Sequence, residues 1–345
     1  MHKLVAIGLV LLIACGGDDD AGDDDDAVDV DAAANIDATP AVDAAPPDAT
    51  TPNLPETLPD PLPAGDPAVK LVTYNTAMLQ TIKYVPQRLP LVTEALKVVD
   101  ADVLCLQELW DEFTSPADMA TRLSAEFPYA WWTWEGTATF GNGVLIVSKH
   151  PLYRGRVLTY SMNEDEGNLD RMAIAADVVT ADSYFHVICG HTQAGSSTLQ
   201  TTMRQSNINE MDQLVASEGW TGEPVFLLGD MNCGPQTGPC VKEPCEPADT
   251  ESYDLLLTTW TDPNQGSSDC TYCQEFARPL QLIGGIDDDP DVRIDFCLYR
   301  DLGTSALQAS SILFDDEVTY DIGGGTNVTT TRSDHLGVYC EFAPE

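Results

Sequence analysis

The chain has 345 residues, of which 56 are acidic and 16 are basic, so its formal net charge at pH 7 is −40. Such an acidic protein repels nucleic acids and other polyanions unless salt or divalent cations screen the repulsion. The composition changes sharply along the chain and divides it into a leader, an acidic spacer and a folded body.

The leader reads MHKLVAIGLVLLIA, with one basic residue before an apolar run that is too short to span a bilayer. The LIAC that ends at Cys15 resembles the lipobox of bacterial lipoproteins, so residues 1–14 predict a lipoprotein signal peptide and Cys15 a lipidated N-terminus. Gly16 resembles the signal for an outer membrane. We expect an exported bacterial lipoprotein at the outer membrane or cell surface. The alternative is an ordinary secretory signal with an incidental cysteine.

The spacer that follows consists mainly of Asp, Ala, Pro and Thr, and it contains no Lys or Arg. This composition buries too little apolar surface to offset chain entropy, so residues 15–66 predict a lipidated cysteine followed by a disordered acidic tether. Metal storage is the alternative function. Residues 67–345 then form the folded body, which retains a formal charge of about −26.

Ten cysteines in an exported chain predict disulfides, because the compartment is oxidising. Without Cys15 the number is odd, so at least one cysteine is unpaired or pairs between chains. Five cysteines crowd one Gly/Pro-rich stretch and predict a stapled loop, with a structural bridge between its last two members rather than a redox or zinc site. These five are Cys233, Cys240, Cys245, Cys270 and Cys273.

In chain order, runs of apolar and β-branched residues between polar turns predict strands at residues 69–73, 103–106, 143–148, 172–180, 184–190, 225–229, 295–299 and 336–342. Apolar residues at helical spacing predict helices at residues 89–99, 116–126 and 198–217. Strands mixed with a few long helices predict an α/β protein with a two-layer β core flanked by helices.

Polar residues end or begin six of these strands. A strand-terminal Asp or Asn usually caps a turn, but six such segments together indicate a site. Carboxylate and amide oxygens suit Mg²⁺, and histidines suit proton transfer near neutral pH. This set predicts metal-dependent hydrolysis of a phosphate ester. The residues are Asn75, Glu108, His191, Asp230, Asn232, Asp295, Asp334 and His335.

The segment VFLLGDMN places Asp230 and Asn232 two residues apart. If the strand geometry continues past Gly229, alternation directs both side chains to the same face. Gly229 itself permits the close backbone approach that a site at this position requires.

Seven segments carry a family resemblance: TYNTAM, LCLQELW, GNGVLIVSKHPL, GHTQAG, LLGDMN, RIDFCLY and SDHLGVY. In order and in kind they resemble the motifs of the endonuclease/exonuclease/phosphatase superfamily, which has the deoxyribonuclease I-like fold. The resemblance implies a four-layer α/β/β/α sandwich with two mixed, largely antiparallel sheets. It also implies that residues 67–345 are the catalytic domain, with the site between the sheets.

The resemblance assigns a role to each strand-end residue. Glu108 is the principal metal ligand, and Asn75 binds the metal or the substrate phosphate. Asp295 orients His335, and this pair activates water. Asp334 is a metal ligand or orients one.

The same resemblance gives the remaining residues to the substrate. Asp230 and Asn232 hold the nucleophile and a phosphoryl oxygen, and His191 stabilises the pentacoordinate phosphorus or protonates the leaving group. Arg171 departs from the sphingomyelinase pattern, in which Asn-Lys stands at this point. It is interpreted as a phosphate clamp, with a surface ion pair to Asp170 as the alternative.

The GHTQA segment is similar to the histidine motif of sphingomyelinases. The resemblance therefore implies a Mg²⁺-dependent phosphodiesterase that removes a phospholipid headgroup, with other divalent cations as alternatives to Mg²⁺. A secreted nuclease similar to deoxyribonuclease I is the second hypothesis, and the acidic body argues against it. A catalytically inactive surface lipoprotein that only binds is the third. Phospholipid or another phosphodiester is the expected substrate, the lipid anchor is the expected membrane contact, and the sequence indicates no protein partner.

Overall fold

The structure is a computed structural model that describes residues 51–59, 63–65, 67–79, 81–110, 113–133, 141–163, 170–239, 248–281 and 290–344. The predicted signal peptide and Cys15 lie outside the described residues, as do Cys240 and Cys245. Within the described helices, none is long and apolar enough to cross a membrane.

Thirteen strands and five helices are present in the described residues. The strands are β1 (Val69–Met78), β2 (Val103–Leu109), β3 (Tyr129–Trp131), β4 (Leu145–Ser148), β5 (Leu152–Thr159), β6 (Met172–Val179), β7 (Tyr184–His191), β8 (Val225–Asp230), β9 (Asp295–Arg300), β10 (Ser305–Leu313), β11 (Val318–Asp321), β12 (Asn327–Thr330) and β13 (Gly337–Pro344). The helices are α1 (Val85–Val98), α2 (Pro116–Leu123), α3 (Thr198–Ser217), α4 (Thr250–Leu256) and α5 (Gln274–Ala277).

The strands form two large mixed sheets and one hairpin. The first sheet has the order β10-β13-β1-β2-β4-β3, and within it only β1 and β2 run parallel. The second has the order β5-β6-β7-β8-β9, and within it only β7 and β8 run parallel. Strands β11 and β12 pair separately. Both large sheets are therefore mixed and largely antiparallel, as predicted.

Three apolar clusters divide the body into layers. One fills the space between the two sheets with residues from both inner faces. A second packs α1 and α2 on the outer face of the first sheet, and a third packs α3 and α4 on the outer face of the second. The predicted four-layer α/β/β/α sandwich is confirmed, because each sheet buries one face against the other sheet and one against helices.

The eight predicted strands and three predicted helices all form, with shifted ends. Helix α1 begins at Val85 rather than residue 89, since Pro86 lies in its first turn, where a missing N–H costs nothing. The sequence patterns missed edge and short elements such as β10, where few residues are fully buried and apolar alternation is weak. The other missed elements are β3, β5, β11, β12, α4 and α5.

Two disulfides are present among the described cysteines. Cys270 bonds to Cys273, which agrees with the predicted structural bridge. Cys105 bonds to Cys189 and joins β2 to β7 across the sandwich, a pairing that sequence spacing did not predict. Cys233 is a buried thiol, so its predicted place in the stapled loop involves no bridge among the described residues.

Part of the predicted tether packs on the body. The backbone N–H of Arg154 donates to the carbonyl of Pro55 at 2.9 Å, and that of Tyr184 donates to the carbonyl of Pro63 at 3.3 Å. Leu54 packs against the inter-sheet cluster. Within the described residues, a stretch before residue 67 therefore packs on the folded body. An extended segment held by backbone hydrogen bonds needs no apolar pattern, which is why composition did not reveal it.

Removing this segment tests its contribution to stability. We expect a chain that starts at Pro67 to have a free energy of unfolding about 1–3 kcal/mol lower than one that starts at Asp48, because it loses three backbone hydrogen bonds and the burial of Leu54. Urea unfolding of both chains measures the difference. The variant Glu56→Gln is a control that removes only an exposed ion pair and should change stability by less than about 1 kcal/mol. Equal stability of the two chains would contradict a structural role.

Candidate active site

Neighbouring strand ends bring three predicted residues together in the second sheet. His191 ends β7 and is paired in register with Asp230, which ends β8. Asp230 is in turn paired with Asp295, which begins β9. Because paired residues lie side by side across a sheet, one edge presents an imidazole and two carboxylates.

The first sheet contributes from the opposite side. Asn75 lies near the end of β1, and its amide nitrogen donates to Oδ2 of Asp230 at 3.0 Å. The same nitrogen lies 3.5 Å from Nε2 of His335. Asn75 is fully buried, so this contact joins the two sheets at the centre of the site.

Asp295 and His335 form the predicted pair. Oδ2 of Asp295 lies 2.9 Å from Nδ1 of His335, and both side chains are buried. With Nδ1 donating to the carboxylate, Nε2 is the ring atom left to face the cleft. Nε2 lies 3.8 Å from Oδ2 of Asp230.

Glu108 and His191 complete the cluster around Asp230. Nε2 of His191 lies 3.6 Å from Oδ2 of Asp230 and 3.9 Å from Oε1 of Glu108. Neither ring nitrogen of His191 has a hydrogen-bond partner within the described part of the chain, although the residue is buried. Buried polar groups are normally satisfied, so this imidazole is available to a ligand.

The turn after β8 differs from the expected continuation of the strand. Asn232 has φ of 47°, and its backbone N–H donates to Oδ1 of Asp230 at 2.8 Å. Both side chains nevertheless line the same cleft, because the chain turns back instead of alternating. The expected role of Gly229 is confirmed: a Cβ there would lie 2.0 Å from the carbonyl oxygen of Gly190.

A cleft of about 570 Å³ opens onto these residues. Its wall includes the loop from Ala194 to Ser196 before α3, Tyr272 and the segment around α4. Glu108, Asp230, Asn232 and His335 line it. The volume is in the range of small-molecule sites, and polar side chains from both sheets contribute to its wall.

Burial of the two acids facing the cleft changes their pKa values. Desolvation, reinforced by the charge of Asp334, raises the pKa of Glu108 to about 8. Desolvation and the neighbouring charge of Asp295 raise the pKa of Asp230 to about 6. The raised pKa values show that nearby positive charge does not balance these two carboxylates. A bound cation would supply that charge.

The two histidines are shifted in opposite directions. Burial lowers the pKa of His191 well below its ordinary value, and the charges of Arg171 and His335 lower it further. Burial also disfavours the charged form of His335, but the carboxylates of Asp295 and Asp230 outweigh it and raise the pKa of His335 well above the ordinary value. At neutral pH His191 is the neutral imidazole of the pair.

The donor set fits a hard divalent cation. Glu108, His191 and Asp230 offer ligand atoms that lie within 4.8 Å of one another, and so do Asp230, Asp295 and His335. The carboxylate oxygens of Glu108 and Asp230 match the preference of Mg²⁺ for oxygen. These two residues are the ones that would hold the ion, because Asp295 already orients His335.

Two of the predicted residues lie apart from this cluster. Oδ2 of Asp334 accepts a hydrogen bond from Gln281 at 2.8 Å, so its direct role as a metal ligand stays a prediction. Arg171 is only 5% exposed, so it does not lie on the surface. Its charge lowers the pKa of His191, so it lies near that ring.

Sequence patterns missed Arg88, a fully buried residue of α1. Its guanidinium donates to the carbonyl of Thr76 at 3.3 Å and to that of Arg332 at 2.6 Å. It therefore ties the bulge after Asn75 to the loop before His335. Arginine is rarely fully buried unless its charge is paired. An arginine among the apolar positions of α1 was therefore the one sequence feature that could have indicated a structural role for Arg88.

Sequence patterns also missed the two residues between the bridged cysteines. Oγ1 of Thr271 accepts from the backbone N–H of Asp295 at 3.0 Å. The ring of Tyr272 lies 5.2 Å from that of His335. The bridge between Cys270 and Cys273 thus holds a short segment that contacts both members of the Asp295–His335 pair.

Comparison with known proteins identifies the family. The profile described as Endonuclease/Exonuclease/phosphatase family matches residues 72–335, which is most of the chain. No curated protein sequence matches the chain. Solved structures of several proteins share its fold at low sequence identity.

The match to the protein SmcL covers 80% of this chain and 99% of the SmcL chain, with 17% identity and a TM-score of 0.61. The match to sphingomyelinase C from Streptomyces griseocarneus covers 80% of this chain and 99% of the sphingomyelinase chain, with 18% identity and a TM-score of 0.56. The match to a beta toxin mutant from Staphylococcus aureus with bound magnesium ions covers 80% of this chain and 99% of the toxin chain, with 17% identity and a TM-score of 0.59. The chain belongs to the endonuclease/exonuclease/phosphatase family, whose members are phosphoester hydrolases.

Proposed function

We propose that the protein is a Mg²⁺-dependent phosphodiesterase that hydrolyses the headgroup phosphoester of a phospholipid, in the manner of a sphingomyelinase C. The observation that carries the proposal is the convergence of Asn75, His191 and His335 on Asp230, which lines one cleft together with Glu108 and His335. This set contains a cation site, a base and hydrogen-bond donors, which phosphoester hydrolysis requires.

In this proposal Glu108 and Asp230 hold the cation. When bound, a divalent cation supplies positive charge to a phosphoryl oxygen and offsets the repulsion between the substrate and the acidic site. Asn75 donates to Asp230 at 3.0 Å and so fixes the direction of that carboxylate. Arg171 provides a second positive charge near His191 and binds the phosphate.

The Asp295–His335 pair is the base. The carboxylate of Asp295 accepts from Nδ1 and orients the ring, so Nε2 is the atom that removes a proton from water once His335 is in its neutral form. The nearby carboxylates raise the pKa of His335, and a cation held by Asp230 would offset part of that charge and favour the neutral form. His191 is neutral near pH 7, so its ring N–H donates a hydrogen bond that stabilises negative charge developing on the phosphoryl or departing oxygen. Asn232 lines the cleft beside Asp230 and binds a phosphoryl oxygen.

Three observations favour a lipid over a nucleic acid. The body carries about −26 formal charges, which oppose the approach of a long polyanion. The GHTQA segment is similar to the sphingomyelinase motif. The fold is also shared with the Streptomyces sphingomyelinase C over 99% of that chain.

We further propose that the protein is anchored through Cys15 at the outer membrane or cell surface. The leader and the acidic run after it support this, because they combine a lipobox-like LIAC with a solvated spacer. Cys15→Ser should move the protein from the membrane fraction to the soluble fraction of its host. A soluble wild-type protein would contradict the anchor.

Hydrolysis of defined substrates tests the proposed activity. With Mg²⁺, the chain from Gly16 to Glu345 should release phosphocholine from sphingomyelin vesicles faster than it acts on phosphatidylcholine, inositol phosphates or plasmid DNA. His335→Ala should lower kcat about 100-fold or more, because it removes the base. His150→Ala is the matched histidine control, since His150 follows β4 outside the site, and it should retain wild-type kcat within about threefold.

The same assay separates the alternatives. Nicking of plasmid DNA without lipid hydrolysis would replace the proposal with a nuclease. Equal rates for wild type and His335→Ala on every substrate would reject both enzymes and leave a binding lipoprotein.

The pKa of Glu108 predicts how Mg²⁺ affinity depends on pH. With a pKa of about 8, Glu108 is protonated at pH 7, so binding must release its proton. We expect the Kd for Mg²⁺ to rise about tenfold for each pH unit below 8. Calorimetry in two buffers of different ionisation enthalpy measures the affinity and the protons released.

Linkage gives the matching stability change. The raised pKa favours the protonated form in the folded state, so without cation this group stabilises the fold below pH 4.5 and the contribution is lost as pH rises to about 8. Mg²⁺ should therefore raise Tm more at pH 8 than at pH 6. Glu108→Gln should weaken binding and remove the pH dependence above pH 6. Binding at pH 7 without proton release would contradict the assignment.

A further inference from the structure

Four cysteines lie in the apolar space between the two sheets, two from each sheet. Cys105 and Cys340 belong to the first sheet, and Cys189 and Cys297 belong to the second. All four are at most 1% exposed. They therefore face one another across the interior of the sandwich and not the solvent.

The first pair is joined in the structure and lies below one half of the active site. The disulfide links Cys105 to Cys189 over a sequence separation of 84 residues. Cys105 precedes Glu108 by three residues, and Cys189 precedes His191 by two. The bond therefore connects the strand that carries the carboxylate to the strand that carries the imidazole.

The second pair, Cys297 and Cys340, lies on the two segments that carry Asp295 and His335. Cys297 follows Asp295 by two residues on β9, and Cys340 follows His335 by five residues on β13. Sγ of Cys297 lies 3.8 Å from the carbonyl oxygen of Val338 on the opposite sheet. The Cys297 thiol also interacts directly with that of Cys340. Two thiols thus meet across the sheets below the Asp295–His335 pair.

We propose that Cys297 and Cys340 are an oxidation site that closes into a second disulfide between the sheets. The oxidant is a disulfide of another molecule, either a thiol oxidoreductase or oxidised glutathione. The thiolate of one cysteine attacks that disulfide, forms a mixed disulfide and expels one thiolate. The second cysteine attacks the mixed disulfide and expels the other. Two protons leave the cysteines, the pair loses two electrons and the oxidant gains them.

Burial determines when this reaction occurs. In the folded protein both thiols are shielded from solvent, and burial raises the pKa of Cys297, so thiolate and oxidant do not meet. The bond therefore forms while the sheets assemble, when the cysteines are still open to the compartment. Cys105 and Cys189 are also buried between the sheets, so their bond must likewise form before the sheets have packed.

The bond has two consequences for the molecule. It ties β9, which begins at Asp295, to β13, which begins shortly after His335. It also closes a loop between these strands and so restricts the conformations of the unfolded chain. It also accounts for two of the cysteines that form no bridge in the structure, leaving Cys233 as the buried thiol among those described. The proposal does not depend on the proposed function.

Peptide mapping tests the bond directly. The chain from Gly16 to Glu345 is folded with reduced and oxidised glutathione, denatured without reductant, alkylated with iodoacetamide and digested. Mass spectrometry should find most of Cys297 in a peptide cross-linked to Cys340. Alkyl groups on both Cys297 and Cys340 in most molecules would overturn the proposal. The peptide that links Cys105 to Cys189 reports whether oxidation was complete.

A thermal measurement gives a second, independent outcome. The double variant Cys297→Ser with Cys340→Ser should melt roughly 5–10 °C below the oxidised wild type, as expected for the loss of one long-range bridge. Wild type folded under reductant and the variant folded the same way should differ by much less. An equal difference under both conditions would show that serine burial, and not the bond, lowers Tm, and would also count against the proposal.

Discussion

Removing carboxylates from water disfavours their charged form unless positive charge lies close by, and this constraint governs the centre of the molecule. Asp230 offers a carboxylate oxygen within 4.8 Å of ligand atoms of Glu108 and His191 on one side and of Asp295 and His335 on the other. His335 supplies one positive charge through its contacts with Asp295 and Asp230, and its raised pKa is the result. The remaining excess of negative charge contributes to the raised pKa of Glu108, and a bound divalent cation would offset it.

The arrangement exists because two sheets pack face to face with their strand ends in the same place. The register of β7, β8 and β9 fixes His191, Asp230 and Asp295 side by side. The inter-sheet cluster then sets the distance at which the first sheet contributes Asn75. A shift of one residue in any of these strands would turn its polar residue away from the cleft, so apolar packing and the chemistry of the site are specified together.

Residues that position others were not accessible from the sequence. Arg88 binds backbone carbonyls of two segments that are far apart in the chain, and carbonyls leave no signature in a sequence. Thr271 contributes only an oxygen that accepts two backbone hydrogen bonds. The docked segment before residue 67 escaped notice for a similar reason, because its contacts are mainly made by its backbone. Such interactions depend on proximity in space, which side-chain patterns do not encode locally.

The sequence by itself determined the eight central strands, the three long helices and the strand-end residues, because alternation and apolar spacing are local properties of the chain. It also determined the family, through motifs in a fixed order. Tertiary structure alone decided that Asp334 pairs with Gln281, that Asn232 follows a turn and that Arg171 is buried. It also decided which cysteines face each other between the sheets. Each of these depends on contacts between residues distant in the chain, whose geometry exists only once both sheets have packed.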